Sequence, residues 1–222
     1  MKPAALEEVL HPSSFILLPP SSSLYGIVDL GYVKPESIVP MTEAFVEGGI
    51  DILQLRAKHH SETDIIRFGK LMHGVTSQTH VPLVINDHPR AAAEIGSEGV
   101  HVGQDDDAVA NARRIVGSQC FVGKSTHSLA QAVAAQDEGA DYIGFGPLYA
   151  TGTKPDYMPI GLHDITEVHR KVSVPIFCIG GVNAERLDEV LSAGAKRVVV
   201  VSAFLQAPDV RAEVRAIKQR LG

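Results

Sequence analysis

From Leu24 onward the chain alternates between short apolar runs and longer segments of helical periodicity. Eight runs have the length and composition of strands, at residues 24–28, 50–55, 81–85, 99–102, 120–122, 142–145, 175–179 and 197–201. Between them Ile38, Met41, Phe45 and Val46, or Ile65, Ile66, Phe68, Leu71 and Met72, recur at the spacing of one helix face. Further helical segments are expected at 109–116, 129–135, 165–168 and 187–191, with 210–221 closing the chain. Strands this apolar are buried on both faces, as in a parallel sheet covered by helices. Eight such units within residues 23–222 leave no room for a second domain, so the pattern predicts a single-domain α/β fold, a closed (β/α)8 TIM barrel. An open doubly wound sheet is the competing arrangement. No GxGxxG follows the first strand, which argues against a dinucleotide-binding version of it.

Residues 1–22 stand apart as a short N-terminal extension. Glu7 and Glu8 sit where a secretory signal needs positive charge, and the apolar run at 15–18 ends at Pro19-Pro20. The phrases Glu47-Gly48-Gly49-Ile50-Asp51, Glu138-Gly139-Ala140-Asp141 and Ser192-Ala193-Gly194-Ala195-Lys196 each end a helix and begin a strand. Their glycines suit a left-handed C-cap, and the phrases belong to the N-terminal, stability-determining face of a barrel.

Charge and composition narrow the partners. The formal net charge of −6 over 222 residues argues against nucleic acid, which would call for a basic patch. No run of 18 apolar residues occurs, so no membrane span is expected. Cys120 and Cys178 lie inside apolar runs and read as core, with a reducing, cytoplasmic setting as the default. Homo-oligomerisation is left open.

The chemistry should gather where the strands end, at the C-terminal rim. Strand two ends in Gln54, Arg56 and Lys58, alternating with Leu55 and Ala57, which aims an amide and two cations together. Strand three ends Asn86-Asp87-His88, and strand four ends His101-Val102-Gly103-Gln104 before Asp105, Asp106 and Asp107. One of these three aspartates can serve the next helix as a cap. Asp87 with another of them would suit Mg2+, which keeps waters and takes phosphate oxygens. Strand five ends Gly123-Lys124-Ser125-Thr126-His127. After strand six, Thr151, Gly152, Thr153 and Lys154 bring two hydroxyls, a bare backbone and one ammonium within four positions, a set suited to an oxyanion. Gly180-Gly181 after strand seven and Val201-Ser202 after strand eight match the phosphate site of such barrels. The rim is therefore expected to hold a monophosphate over units seven and eight, and a Mg-pyrophosphate over units two to four.

Together, QLRAK (54–58), IND (85–87), GVHVGQDD (99–106), GKSTH (123–127), ADYIGFGPLYATGTKPD (140–156), IGGV (179–182) and VVVSA (199–203) resemble the thiamine phosphate synthase family, in family order over roughly residues 24–215. The resemblance implies a Mg2+-dependent transferase that joins a hydroxymethylpyrimidine pyrophosphate to a thiazole phosphate and releases pyrophosphate. It implies that Gln54, Leu55, Arg56, Ala57, Lys58, Asn86, Ser125 and Lys154 bind the pyrimidine pyrophosphate, with Arg56, Lys58, Ser125 and Lys154 catalytic. Asp87 and Asp106 would hold Mg2+. Thr151, Gly152, Thr153, Gly180, Gly181, Val201 and Ser202 would bind the thiazole phosphate. Ala57 departs from the family where an acidic residue is frequent, and His88 where Arg often follows the Asn-Asp pair.

Two other readings compete. A thiazole-phosphate tautomerase on the same barrel would use one phosphate site, with His127 as its acid or base, and has no need of Arg56, Lys58, Asp87 and Asp106. A non-catalytic barrel would bind phosphate without requiring Mg2+.

Overall fold

The computed structural model describes residues 21–104, 108–152 and 158–222. Eight strands, β1 (Leu24–Asp29), β2 (Ile52–Arg56), β3 (Leu83–Asn86), β4 (Gly99–Val102), β5 (Phe121–Thr126), β6 (Tyr142–Phe145), β7 (Ile176–Ile179) and β8 (Val198–Val200), pair in parallel and in sequence order. β8 closes on β1 through Leu24 opposite Val198, so the sheet is a barrel and the open-sheet alternative is excluded. Outside it run α1 (Ile38–Gly48), α2 (Glu62–Thr76), α3 (Pro89–Ile95), α4 (Val109–Val116), α5 (Leu129–Asp137), α6 (Ile165–Lys171), α7 (Leu187–Ser192), α8 (Ser202–Leu205) and α9 (Val210–Leu221). Residues 1–20 of the expected extension, together with Asp106, Thr153 and Lys154, lie outside the described residues.

Two helices escaped the periodicity. α3 buries Ala91, Ala92 and Ile95, a stripe too small to stand out as apolar, and α8 is a single turn. Capping is local where the sequence supplies it: Ser61, Ser128 and Asp209 accept from the main-chain N–H of Asp64, Gln131 and Ala212 at the starts of α2, α5 and α9. At α4 the N-cap is Ala108, with no side-chain cap of its own, and the Asp105–Asp107 run expected to supply one lies outside the described residues.

The apolar side chains divide by strand alternation into two layers. Tyr25, Ile27, Ile52, Val84, Phe121, Tyr142, Phe177 and Val199 fill the inside of the barrel. Their strand neighbours, such as Val28, Leu53, Leu55, Ile85 and Cys178, join Phe45, Phe68, Met72 and Phe204 from the helices in the layer around it. Gly123 makes the inner layer possible, because a Cβ there would lie 2.1 Å from the Tyr142 ring.

The N-terminal face is tied by a repeated device. The carboxylate just before each of β2, β4 and β6 accepts from the start of the preceding strand. Asp51 takes the N–H groups of Ser23 and Leu24 at 2.8 Å each, Glu98 that of Leu83 at 2.8 Å, and Asp141 that of Val122 at 2.6 Å. The glycines of the three phrases have the expected left-handed backbone, with φ of 92° at Gly49, 88° at Gly139 and 104° at Gly194.

Candidate active site

Four strands run further than their apolar stretch suggests, β2 and β3 by the single residues Arg56 and Asn86, and the extensions carry the site. β1 continues to Asp29, which pairs in register with Arg56, and β5 continues to Thr126, which pairs with Phe145. Polar rim residues therefore stay in the ladder and keep the period of two. From β2, Gln54 and Arg56 follow Ile52 inward. Leu55 and Ala57 face the other way and are buried in the sheet–helix layer, so any contact they make with a ligand must come from their main chain.

The inward rim residues enclose a cavity above the inner apolar layer. Gln54, Arg56, Asn86, His101, Ser125, His127, Thr151, Gly180, Gly181, Val201 and Ser202 line it, over a floor of Tyr25, Tyr142 and Phe177. A second recess adjoins it, lined by Arg56, Lys58, His59, His60 and Gly152 along with the β1 end. Arg56 belongs to both. Its guanidinium is held by the buried Asp29, whose Oδ2 lies 2.7 Å from Nη1 and whose Oδ1 accepts from the N–H of Gly31 at 2.9 Å.

The cavity floor is polar in one continuous line. Gln54 Nε2 donates to the Tyr25 hydroxyl at 2.7 Å, and the hydroxyls of Tyr25 and Tyr142 are 3.1 Å apart. The Tyr142 hydroxyl lies 2.9 Å from His101 Nδ1, and His101 Nε2 lies 2.9 Å from Ser125 Oγ. Burial raises both phenols well above the ordinary tyrosine range, so they act as neutral hydrogen-bonding groups.

At the opposite wall Gly180 and Gly181 have φ of 101° and 71°. A side chain at either would strain the backbone, and a Cβ at Gly180 would meet Pro147 at 2.5 Å. Leu148 N–H donates to Ile179 O at 2.8 Å and Tyr149 N–H to Gly180 O at 3.1 Å, which ties the loop after β6 to this turn. Thr151 is thereby brought to the same cavity as Val201 and Ser202.

Asp87 is the one non-glycine residue among those described with positive φ, at 62°. Aspartate tolerates this conformation better than most residues, but such a position is held only where its surroundings over-determine it. Its N–H donates to His101 O at 2.8 Å, which locks it one residue beyond β3. Its carboxylate offers the hard oxygen donors that Mg2+ takes. No cluster of three or more His, Cys, Asp or Glu occurs among the described residues, which do not include Asp106. His127 lines the cavity with its Nδ1 against Gly146 O, and its N–H donates to Gln131 Oε1 at 2.7 Å. A carbonyl only accepts, so Nδ1 carries the proton.

Tyr25, Asp29, Tyr142 and Phe177 had no place in the sequence reading of the site, and His101 had no role. Each follows from extending the period-two reading down the inner face of every strand. Tyr25 and Tyr142 in particular are polar-tipped residues inside otherwise apolar runs.

Comparison with known proteins identifies the family. The family model for thiamine monophosphate synthase matches residues 24–204. The thiamine-phosphate synthase of Chloroflexus aurantiacus is 41% identical over 196 residues, covering 88% of this chain and 90% of that protein. That of Thermus thermophilus is 39% identical over 187 residues, 84% of this chain and 90% of that protein. Among solved structures, the thiamine phosphate pyrophosphorylase of Pyrococcus furiosus superposes with a TM-score of 0.81 at 29% identity, covering 90% of this chain and 95% of that one. A 3-hexulose-6-phosphate synthase, at 18% identity and a TM-score of 0.69, shares the fold. The chain belongs to the thiamine monophosphate synthase family.

Proposed function

We propose that the protein is a thiamine phosphate synthase, a transferase that joins 4-amino-5-hydroxymethyl-2-methylpyrimidine pyrophosphate to 4-methyl-5-(2-phosphoethyl)thiazole and releases pyrophosphate. The observation that carries this reading is Arg56, which stands between an aromatic-floored cavity and a recess lined by Lys58, His59 and His60. A ligand with an aromatic ring and a pyrophosphate needs both compartments and a cation at their junction.

In this reading the pyrimidine lies over Tyr25 and Tyr142, beside Gln54, Asn86 and Ser125. Arg56 and Lys58, with Lys154, hold the pyrophosphate. Thr151, Gly180, Gly181, Val201 and Ser202, with Thr153, hold the thiazole phosphate, while Gly152, expected with them, lines the recess beside Lys58. The C–O bond to pyrophosphate breaks first, its electron pair leaving with the phosphate oxygens, and the pyrimidinylmethyl cation remains. The thiazole nitrogen then supplies the lone pair for the new C–N bond. Positioning and charge stabilisation of the leaving group carry such a reaction, with no side-chain nucleophile required. Asp87 and Asp106 would hold Mg2+, which when bound supplies charge neutralisation for the pyrophosphate oxygens.

The test supplies both substrates with and without Mg2+ and follows thiamine phosphate and pyrophosphate. Equal amounts of the two products, lost on chelation and lost in Asp87→Ala and Lys58→Ala variants that remain folded, are expected. Folded wild-type protein that forms neither product would reject the reading and direct the assay to thiazole-phosphate tautomerisation, with His127 as the first residue to replace.

A further inference from the structure

We propose that Tyr142 and His101 are positioning residues for Ser125: the hydrogen-bond line across the cavity floor runs in one direction, and it leaves the Ser125 hydroxyl hydrogen free to be donated to a ligand. The ligand class this names, a ring presenting an unprotonated acceptor atom to Ser125, rests on the reading of this cavity as the pyrimidine site.

The direction follows from counting protons. A primary amide nitrogen only donates, so the Tyr25 hydroxyl accepts from Gln54 Nε2. Tyr25 has one proton of its own, and its other neighbour in the line is the Tyr142 oxygen, 3.1 Å away. Tyr142 therefore accepts there, and its proton goes to His101 Nδ1 at 2.9 Å. A nitrogen that accepts is unprotonated, so the neutral imidazole carries its hydrogen on Nε2. That hydrogen is donated to Ser125 Oγ at 2.9 Å. Tyr25, Gln54 and Tyr142 are each no more than 2% exposed, and a buried phenol hydrogen goes to a protein acceptor within reach, which here is the next member of the line.

The opposite direction would give Ser125 the opposite character. It would donate to His101 Nε2 and offer the cavity only lone pairs, which would select a ring N–H. Which tautomer His101 adopts thus decides whether the site accepts an aromatic nitrogen with a lone pair or one that carries hydrogen. Ser125 is otherwise well placed to act on this, because Gln104 Nε2 donates to its main-chain carbonyl and holds the residue from outside.

The test reads the His101 tautomer in ligand-free protein, labelled with 15N histidine, by long-range 1H–15N correlation at neutral pH. The wild type and Tyr25→Phe should show a single tautomer with hydrogen on Nε2, since Tyr142 keeps His101 as its acceptor in both. Tyr142→Phe should show a mixture. Hydrogen on Nδ1 in the wild type, or an unchanged single tautomer in Tyr142→Phe, would overturn the proposal. The kinetic counterpart is a rise in KM for the pyrimidine substrate of about two- to tenfold in both Tyr142→Phe and Ser125→Ala, the range of one net hydrogen bond. The double variant should be no worse than Ser125→Ala alone, whereas a merely structural role for Tyr142 would make the two effects multiply. The spectra need no substrate, so they stand or fall separately from the assignment of the reaction.

Discussion

Asp29 and Arg56 face each other across the β1–β2 ladder, and the Asp29 carboxylate takes a guanidinium hydrogen at 2.7 Å. Their side chains are 3% and 13% exposed, so the pair is nearly dry. The second carboxylate oxygen is held by the Gly31 N–H. Asp29 is therefore a fixed seat for Arg56, and the rest of the fork is left to reach a ligand. Asp29→Asn preserves the shape and removes the charge. We expect it to lower kcat/KM for the pyrophosphate substrate by about 10- to 100-fold, the worth of one charge-assisted hydrogen bond, while unfolding shifts less than in Asp29→Ala. Steady-state kinetics decides it, and unchanged kcat/KM in folded Asp29→Asn would remove Asp29 from the site.

At the far end of the barrel Asp51 does purely structural work. It accepts from two main-chain N–H groups at the start of β1 and from Lys218 Nζ of α9 at 2.6 Å. One carboxylate thus joins the first strand, the second strand and the last helix. Asp51→Ala should cost on the order of 2 kcal/mol in urea unfolding, with turnover per folded molecule unchanged. A stability loss within error of zero would show that Lys218 and solvent replace the carboxylate without cost.

The barrel was readable because a parallel strand buried on both faces leaves an apolar run that few other structures produce. The glycine phrases at its base were readable for a similar reason, since a left-handed cap admits few residues. The cavity was readable only at its rim. Gln54, Arg56, Asn86, Ser125, Gly181 and Ser202 announce themselves as polar or glycine residues just after apolar runs, and all line it. Tyr25 and Tyr142 do not, because a tyrosine inside a strand looks like core until the facing strands show that its hydroxyl has a partner. Asp29 was hidden by a boundary: the apolar run stops at Val28, while the ladder continues through its pairing with Arg56.

Neither cysteine is a nucleophile. Cys178 is fully buried on the outer face of β7, Cys120 sits just before β5, and burial pushes both thiols up to about 12. The native protein should therefore react negligibly with a thiol reagent at pH 8 and keep its activity, whereas unfolded protein should titrate two thiols. Rapid modification of native protein with loss of activity would place a reactive thiol near the site. Cys178→Ala should retain turnover and lose about 1 kcal/mol of stability from the small cavity it leaves.

His169 makes stability fall in mild acid. It lies on α6 with Nε2 buried and without a hydrogen-bond partner, and burial, with the charges of Lys196 and Arg197 nearby, pushes its pKa down to about 4. In the unfolded chain a histidine takes its proton near pH 6.5. Between these values the unfolded state binds a proton that the folded state refuses. The stabilisation is therefore complete above about pH 6.5 and is lost as pH falls toward 4, by on the order of 2 kcal/mol. His169→Phe keeps an aromatic ring in the site and removes the titration. Urea midpoints measured at pH 7.5, 5.5 and 4.5 should fall less steeply for this variant than for the wild type. Parallel curves would mean that His169 charges freely in the folded protein and that acid sensitivity arises elsewhere.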